Sequence, residues 1–368
     1  MEYEQFKSEV ADKILDHLPD KYADATVMIQ EVAKNNVVLD GLVIRDESIN
    51  ITPTVYLNSY FEDIQNGNIT VDEALDNIAT VYSEHALTTN YDIANLTEYP
   101  NVEDKIFPRI VGIENNEALL SNRPHEIVAE DLAVTYYIAI ANDADGTMSA
   151  PITNSLMEHF GVDQQELHDK AMDNMANSMD FEFRSMGDML MEMMVQDLGS
   201  EEAAREFMET AMPEEGLMYV LSNVARHDGA IGILDEKTME SIGEKIGSDF
   251  YVLPSSIHEC IVVPMGENAP PRSELENMVK EVNATQVAPQ DRLSDSVYAY
   301  DRESKELMRA DKYEEKQISK AMEKEKESIA DKPKSFKEAL SEAKKESASR
   351  MEDRKSISAP KKKREASL

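Results

Sequence analysis

The sequence predicts an α+β fold, with mostly antiparallel sheet, hairpins and a Met-rich helical segment, followed by a disordered charged tail. Three observations lead there. Strand-like runs come in pairs joined by short polar links, the pattern of hairpins. Strands and helices do not alternate strictly, which argues against a doubly wound parallel sheet. After Arg302 the apolar periodicity stops.

Residues 4–18 set Phe6, Val10, Ile14 and Leu18 on one helical stripe, which Pro19 ends. Two β-rich runs follow, 25–32 (ATVMIQEV) and 37–45 (VVLDGLVIR), and the Lys34-Asn35-Asn36 link reads as a hairpin turn. A third strand is expected over 51–57, with Pro53 confining it to an edge or a strand start. Thr70 and Glu73 form a capping box, in which each side chain satisfies an orphan backbone N–H, and a helix over 70–87 follows. Ala74, Leu75, Ile78, Val81 and Tyr82 make its apolar face. The runs 106–113, 132–140 and 147–152 are strand-like.

Helices are expected next, over 154–160, 163–179, 186–198 and 200–212. This stretch holds 12 of the 21 methionines, counting from Met157 to Met218, and reads as a loosely specified helical core or an adaptable binding surface. Strand character returns at 217–223 (LMYVLSN) and 230–234 (AIGIL), which flank a polar turn. A helix over 236–246 stops at Gly247. Residues 250–263 (FYVLPSSIHECIVV) read as strand, turn and strand. Ser273 and Glu276 are expected to cap one more helix, and 296–300 to close the body as its last strand.

The domain reading is an acidic body over 1–302, which would divide near 152 if it forms two lobes, and a tail over 303–368. The tail is rich in Lys, Glu, Ser and Ala, and its few apolar anchors cannot offset chain entropy. It is expected disordered or partly helical, with 335–345 able to fold on binding.

Charge divides at the same place. The chain carries −36, which splits into −40 for the body and +4 for the tail. Such a body repels nucleic-acid phosphates and anionic membranes, so direct nucleic-acid binding is expected only weakly, through the tail. A basic protein partner is the expectation. The single cysteine, Cys260, excludes an intramolecular disulfide. No run reaches the ~18–20 apolar residues that span a bilayer, and the polar stretch at 1–18 is not expected to act as a signal peptide. The expected location is the cytoplasm.

The candidate catalytic cluster is Ser255, Ser256, His258 and Glu259, beside Cys260. It combines hydroxyl, imidazole and carboxylate, the groups of a base-activated nucleophile. Neighbours on a strand face opposite ways, however, so His258 and Glu259 do not readily serve one centre. No G-x-S-x-G elbow is present. No H-x-x-x-H or C-x-x-C spacing points to a metal, and Asp143 starts a calcium-like run whose twelfth position is Asn154 instead of Glu. No phosphate-cradling glycine pattern occurs, so no cofactor is expected. His227-Asp228-Gly229, after Arg226, offers a basic pair that could contact an anion, but it reads first as ordinary turn chemistry. The terminal run 360–364 (PKKKR) is a basic end, which in a eukaryote would read as a nuclear signal.

Several strings are distinctive: 22–60, 131–137 (DLAVTYY), 218–234 (MYVLSNVARHDGAIGIL), 250–264 (FYVLPSSIHECIVVP) and 278–300. Together they resemble a family of bacterial proteins of unknown function from gut-type Gram-positive anaerobes, often carried near conjugative elements. The resemblance implies a single body domain in a bacterial cytoplasm and brings no activity. The leading expectation is a non-enzymatic binding or accessory protein of a mobile element. The alternatives are a hydrolase using Ser255 or Ser256 with His258, and an acidic mimic of nucleic acid.

Overall fold

The computed structural model describes residues 1–46, 52–86, 94–143, 146–211, 218–267 and 269–324, with residues 341 and 345. The chain forms two units, Met1–Ala310 and Asp311–Leu368. In the second unit, residues 311–324 are helical, and most of the expected 335–345 helix lies outside the described residues. In the first unit every strand pairing among the described residues is antiparallel, so the α+β expectation holds. No helix among them is long and apolar enough to cross a membrane.

The N-terminal part is a helix-backed three-stranded sheet. Helix α1 (Tyr3–Lys13) runs into a 3-10 turn, and together they bury the expected stripe of Phe6, Val10 and Ile14. Strands β1 (Thr26–Lys34) and β2 (Val37–Arg45) pair through the Asn35-Asn36 turn, and Asn36 takes φ +58°. Asparagine adopts that left-handed conformation more readily than most residues. Strand β3 (Thr54–Tyr56) starts one residue after Pro53 and adds to β2. Helices α2 (Asn58–Gln65) and α3 (Val71–His85) follow. The Thr70–Glu73 capping box forms, and Leu75, Ile78 and Tyr82 of α3 join the α1 stripe in one core.

Two short turns, α4 (Ala94–Thr97) and α5 (Tyr99–Val102), lead to the second sheet. Strand β4 (Ile106–Gly112) pairs along one edge of β6 (Leu132–Asp143). Helix α6 (Glu117–Ser121) lies between them in sequence. Strands β5 (Glu126–Val128) and β7 (Gly146–Pro151) also pair with β6. Alternation sorts β4 into two faces. Ile106 and Ile110 enter the core, whereas Phe107 and Arg109 lie opposite Tyr137 and Thr135 on the other face.

Helices α7 (Asn154–Phe160) and α8 (Gln164–Ser178) follow, and Asp163 caps α8 by accepting from the Glu166 N–H. The third sheet takes β8 (Phe181–Ser185), β9 (Tyr219–Asn223), β10 (Phe250–Leu253), β11 (Glu259–Pro264), β12 (Tyr298–Asp301) and β13 (Glu306–Arg309). Its order is β13-β12-β10-β11-β9-β8. Helices α9 (Met186–Leu198) and α10 (Glu201–Ala211) are inserted between β8 and β9. Helix α11 (Glu236–Ile246) precedes β10, and α12 (Arg272–Thr285) follows β11. Residues from the second and third sheets share one hydrophobic core.

The structure corrects three expectations and adds one strand. Residues 230–234 are not a strand: Gly229–Leu234 is a buried 3-10 helix, because a five-residue apolar run fits either element and tertiary burial decides. Ser273 does not cap α12, whose N-cap is Pro271 with no side-chain bond. The sheet does not end at Tyr300. Glu306–Arg309 pairs with β12 through a turn in which Lys305 takes φ +57°. The added strand is β8, which was not legible because Phe181 and Phe183 alternate with polar residues over only five positions.

Candidate functional site

The polar face of β4 and β6 meets three loops. Residues 223–229 follow β9, residues 254–258 join β10 to β11, and residues 289–292 follow α12. The first loop is tightly folded. Asn223 brackets it, donating from Nδ2 to the His227 carbonyl (2.7 Å) and accepting at Oδ1 from the His227 N–H (3.1 Å). Arg226 and Asp228 both adopt left-handed backbone, at φ +53° and +55°. The expected role of Asp-Gly is thus reversed: Asp228 takes the positive φ, and Gly229 supplies room. A Cβ on Gly229 would stand 2.4 Å from Ser222 Oγ and 2.5 Å from the Asn223 nitrogen.

This loop presents Asp228, which is 4% exposed. Arg109 donates to its Oδ2 from Nε (2.8 Å) and from the terminal nitrogen (2.5 Å). The guanidinium also lies over the Tyr137 ring, 4.7 Å from its centroid, so its charge is held from two sides. His227 Nδ1 stands 3.1 Å from the same Asp228 oxygen. Burial opposes ionisation of Asp228, but the His227 hydrogen bond and the Arg109 charge outweigh it and hold the carboxyl below its usual range. The bond to Asp228 in turn raises the pKa of His227, against burial.

His258 joins from the β10–β11 loop. Its Nδ1 accepts from the Asp228 backbone N–H at 3.1 Å. A backbone N–H only donates, so the neutral ring carries its proton on Nε2. That nitrogen faces Asp291 Oδ1 at 3.5 Å. The two imidazole centroids are 5.1 Å apart. The 289–292 turn that carries Asp291 is itself anchored. Asn35 and Asn36 donate to its carbonyls, and buried Asn116 donates to both of their side-chain oxygens.

Arg123, on the loop before β5, lies within electrostatic reach of Arg109. It is half-buried, and burial together with the nearby charge of Arg109 pushes its pKa down. Among the described residues its guanidinium has no hydrogen-bonding or ion-pair partner.

Donor atoms of His227, Asp228 and His258 lie within 4.8 Å of one another, the spacing of a metal-binding group. The lone pairs are committed elsewhere, however. A cation would have to displace the Arg109 fork from Asp228 and the Asp228 N–H from His258 Nδ1. The arrangement is a hydrogen-bonded and ion-paired cluster.

Of the residues expected from sequence, only His258 enters it. Ser256 Oγ accepts from the His258 backbone N–H (3.0 Å), a turn contact, and residue 256 bridges to Arg292. The Ser255 carbonyl accepts from the Leu293 N–H. Glu259 is exposed and lines a small groove with Arg184 and Arg226. Cys260 is buried, which pushes its thiol pKa up and leaves it unreactive. Sequence reasoning missed Arg109, Arg123, Tyr137 and Asp291. One signal was available, namely an arginine inside the apolar strand 106–113 (IFPRIVGI).

The fold and this cluster define an antiparallel α+β protein with an Arg–Asp–His constellation built on a buried aspartate where two sheets meet. Residues 3–302 match a family of unknown function (DUF5688), and the chain belongs to that family. No curated protein and no solved structure matches it.

Proposed function

We propose that the protein is a non-enzymatic binding protein whose site, built from Arg109, Arg123, His227 and His258, takes a small ligand through a carboxylate or phosphate group. The observation that carries this reading is Arg123. A guanidinium drawn partly out of water, within electrostatic reach of Arg109 and with no carboxylate against it among the described residues, is costly unless an anion completes it. Arg109 cannot be that anion's sole anchor, because its fork is already spent on Asp228. Arginine suits the task because its planar donors match carboxylate and phosphate oxygens. His227, half open to solvent, adds a third cationic donor when protonated.

Titration calorimetry with inorganic phosphate at low salt tests the proposal on the full chain. Saturable binding is expected, weakened about tenfold or more in Arg123→Gln, which corresponds to loss of one charge-assisted contact. Arg184→Gln, which removes a half-buried arginine paired with Glu192, leaves it unchanged. No saturable heat, or equal affinity in Arg123→Gln, overturns it.

A Ser–His hydrolase is the weaker reading. The base lone pair of His258 is occupied by a backbone N–H, and the Ser256 hydroxyl contacts main chain instead of imidazole. Labelling by a fluorophosphonate that disappears in Ser255→Ala or Ser256→Ala would promote it. A bacterial, cytoplasmic setting and a place on a mobile element belong to the same proposal and rest on the resemblance and on the charge division.

A further inference from the structure

Helix α9 is the more apolar helix of the insertion, and its apolar residues are at most partly covered. Eight of its thirteen residues are Met, Leu or Val, five of them methionine, and none is buried. Met193 and Leu198 are about half exposed or more, at 56% and 49%, and Phe207 on the neighbouring α10 is 51% exposed. The two helices pack on each other, yet within residues 201–207 of α10 only Ala204 is buried. Met186, Met189 and Met193 follow one helical face, and Leu190, Met194 and Leu198 the next, so the apolar band is continuous and broad. A contiguous apolar surface of this kind marks an interaction site.

Its charge identifies the occupant. Residues 186–211 hold seven acidic side chains and one basic one, and that one, Arg205, is paired with Glu201 at 3.1 Å. A methionine band with an acidic rim is complementary to a helix that is apolar on one face and Lys- or Arg-rich on the other. Anionic lipid would meet repulsion from the same rim. A second copy would bring another strongly acidic body against it. Methionine's unbranched, polarizable side chain lets the band adapt to partners of differing sequence.

We propose that the α9–α10 insertion is the docking surface for a basic amphipathic helix of another protein. The test uses the full chain and three fluorescently labelled peptides, read by anisotropy. One is an amphipathic Leu/Lys helix, the second has every Leu replaced by Ser, and the third is an amphipathic Leu/Glu helix. Saturable binding of the Leu/Lys peptide in the micromolar range is expected, at least tenfold tighter than either control. It should weaken at least tenfold in Met193→Glu/Phe207→Glu, two exposed positions at which the melting temperature should hold. Methyl spectra of ¹³C-methionine protein should show the shifts concentrated on Met186, Met189, Met191, Met193 and Met194. Equal binding of the Leu/Lys and Ser/Lys peptides overturns the proposal, since charge alone would then suffice. So does binding indifferent to the double substitution, or shifts spread over the other methionines. A dimer in light scattering that the double substitution dissolves, or binding to anionic vesicles in place of peptide, assigns the surface elsewhere and overturns it equally.

Discussion

The backbone N–H of Asp228 donates to Nδ1 of His258 across 3.1 Å, joining two loops thirty residues apart in sequence. The bond fixes the imidazole's tautomer and gives a buried donor its only acceptor in the cluster. A residue that keeps the acceptor should keep most of the stability. His258→Asn is expected to cost under about 1 kcal/mol. His258→Leu, which leaves the N–H unsatisfied, should cost ~1–3 kcal/mol. Urea denaturation of the two variants checks the difference, and equal losses would refute it.

Arg109 is the main charge partner of a carboxylate that is 4% exposed. Removing it strands that charge, so Arg109→Met should destabilise by ~3–5 kcal/mol. Adding Asp228→Asn to the same chain should recover most of the loss, since asparagine also tolerates the positive φ at this position. A double mutant as unstable as Arg109→Met alone would contradict the pairing.

The His227–Asp228 contact makes stability depend on pH in a defined direction. His227 is raised in the folded state. Its contribution is therefore complete below the unfolded value of about 6.5 and is lost as pH rises through the folded value. Asp228 is lowered. Its contribution is complete above the unfolded value of about 3.9 and is lost as pH falls through the folded value. Together they favour mildly acidic conditions. Urea midpoints measured from pH 5 to about pH 8.5 should fall at the upper end in the native chain. That limb should flatten in His227→Gln.

Gly229 is needed for space. With Ser222 Oγ and the Asn223 nitrogen inside normal contact distance of an added Cβ, Gly229→Ala should cost ~1–3 kcal/mol. Gly266→Ala, where a Cβ meets open space, should be close to neutral in the same thermal melts.

Asn116 ties the β1–β2 turn to the loop that carries Asp291. Its side chain donates to the Gly112 carbonyl and to both Asn35 and Asn36, and accepts from the Asn36 N–H. Asn116→Ala should expose the 35–36 turn to faster amide hydrogen exchange, because the acceptor of the Asn36 N–H is lost while the β1–β2 ladder stays. Unchanged exchange at Asn36 would show that the turn is held by other contacts.

Much of the fold was legible because its elements carry local signals. The α3 capping box, the Asn-Asn turn and the 250–263 hairpin each rest on residues within a few positions of one another. Residues 230–234 misled because a short apolar run has no period long enough to tell strand from helix. The site was mostly illegible for a different reason. Arg109, Tyr137, Asp228, His258 and Asp291 are brought together from separate segments, and no spacing in the chain records that they meet.

The sequence by itself determined the α+β class, the charge division between body and tail, and the methionine density of one helical insertion. All three are set by composition and short-range pattern. Tertiary structure alone decided that Arg109 pairs with Asp228, that His258 turns toward that aspartate instead of the adjacent serines, and that the methionine helix keeps Met193 and Leu198 exposed. Those outcomes depend on which buried polar groups find partners across the fold, and that accounting closes only when the loops between sheets are in place.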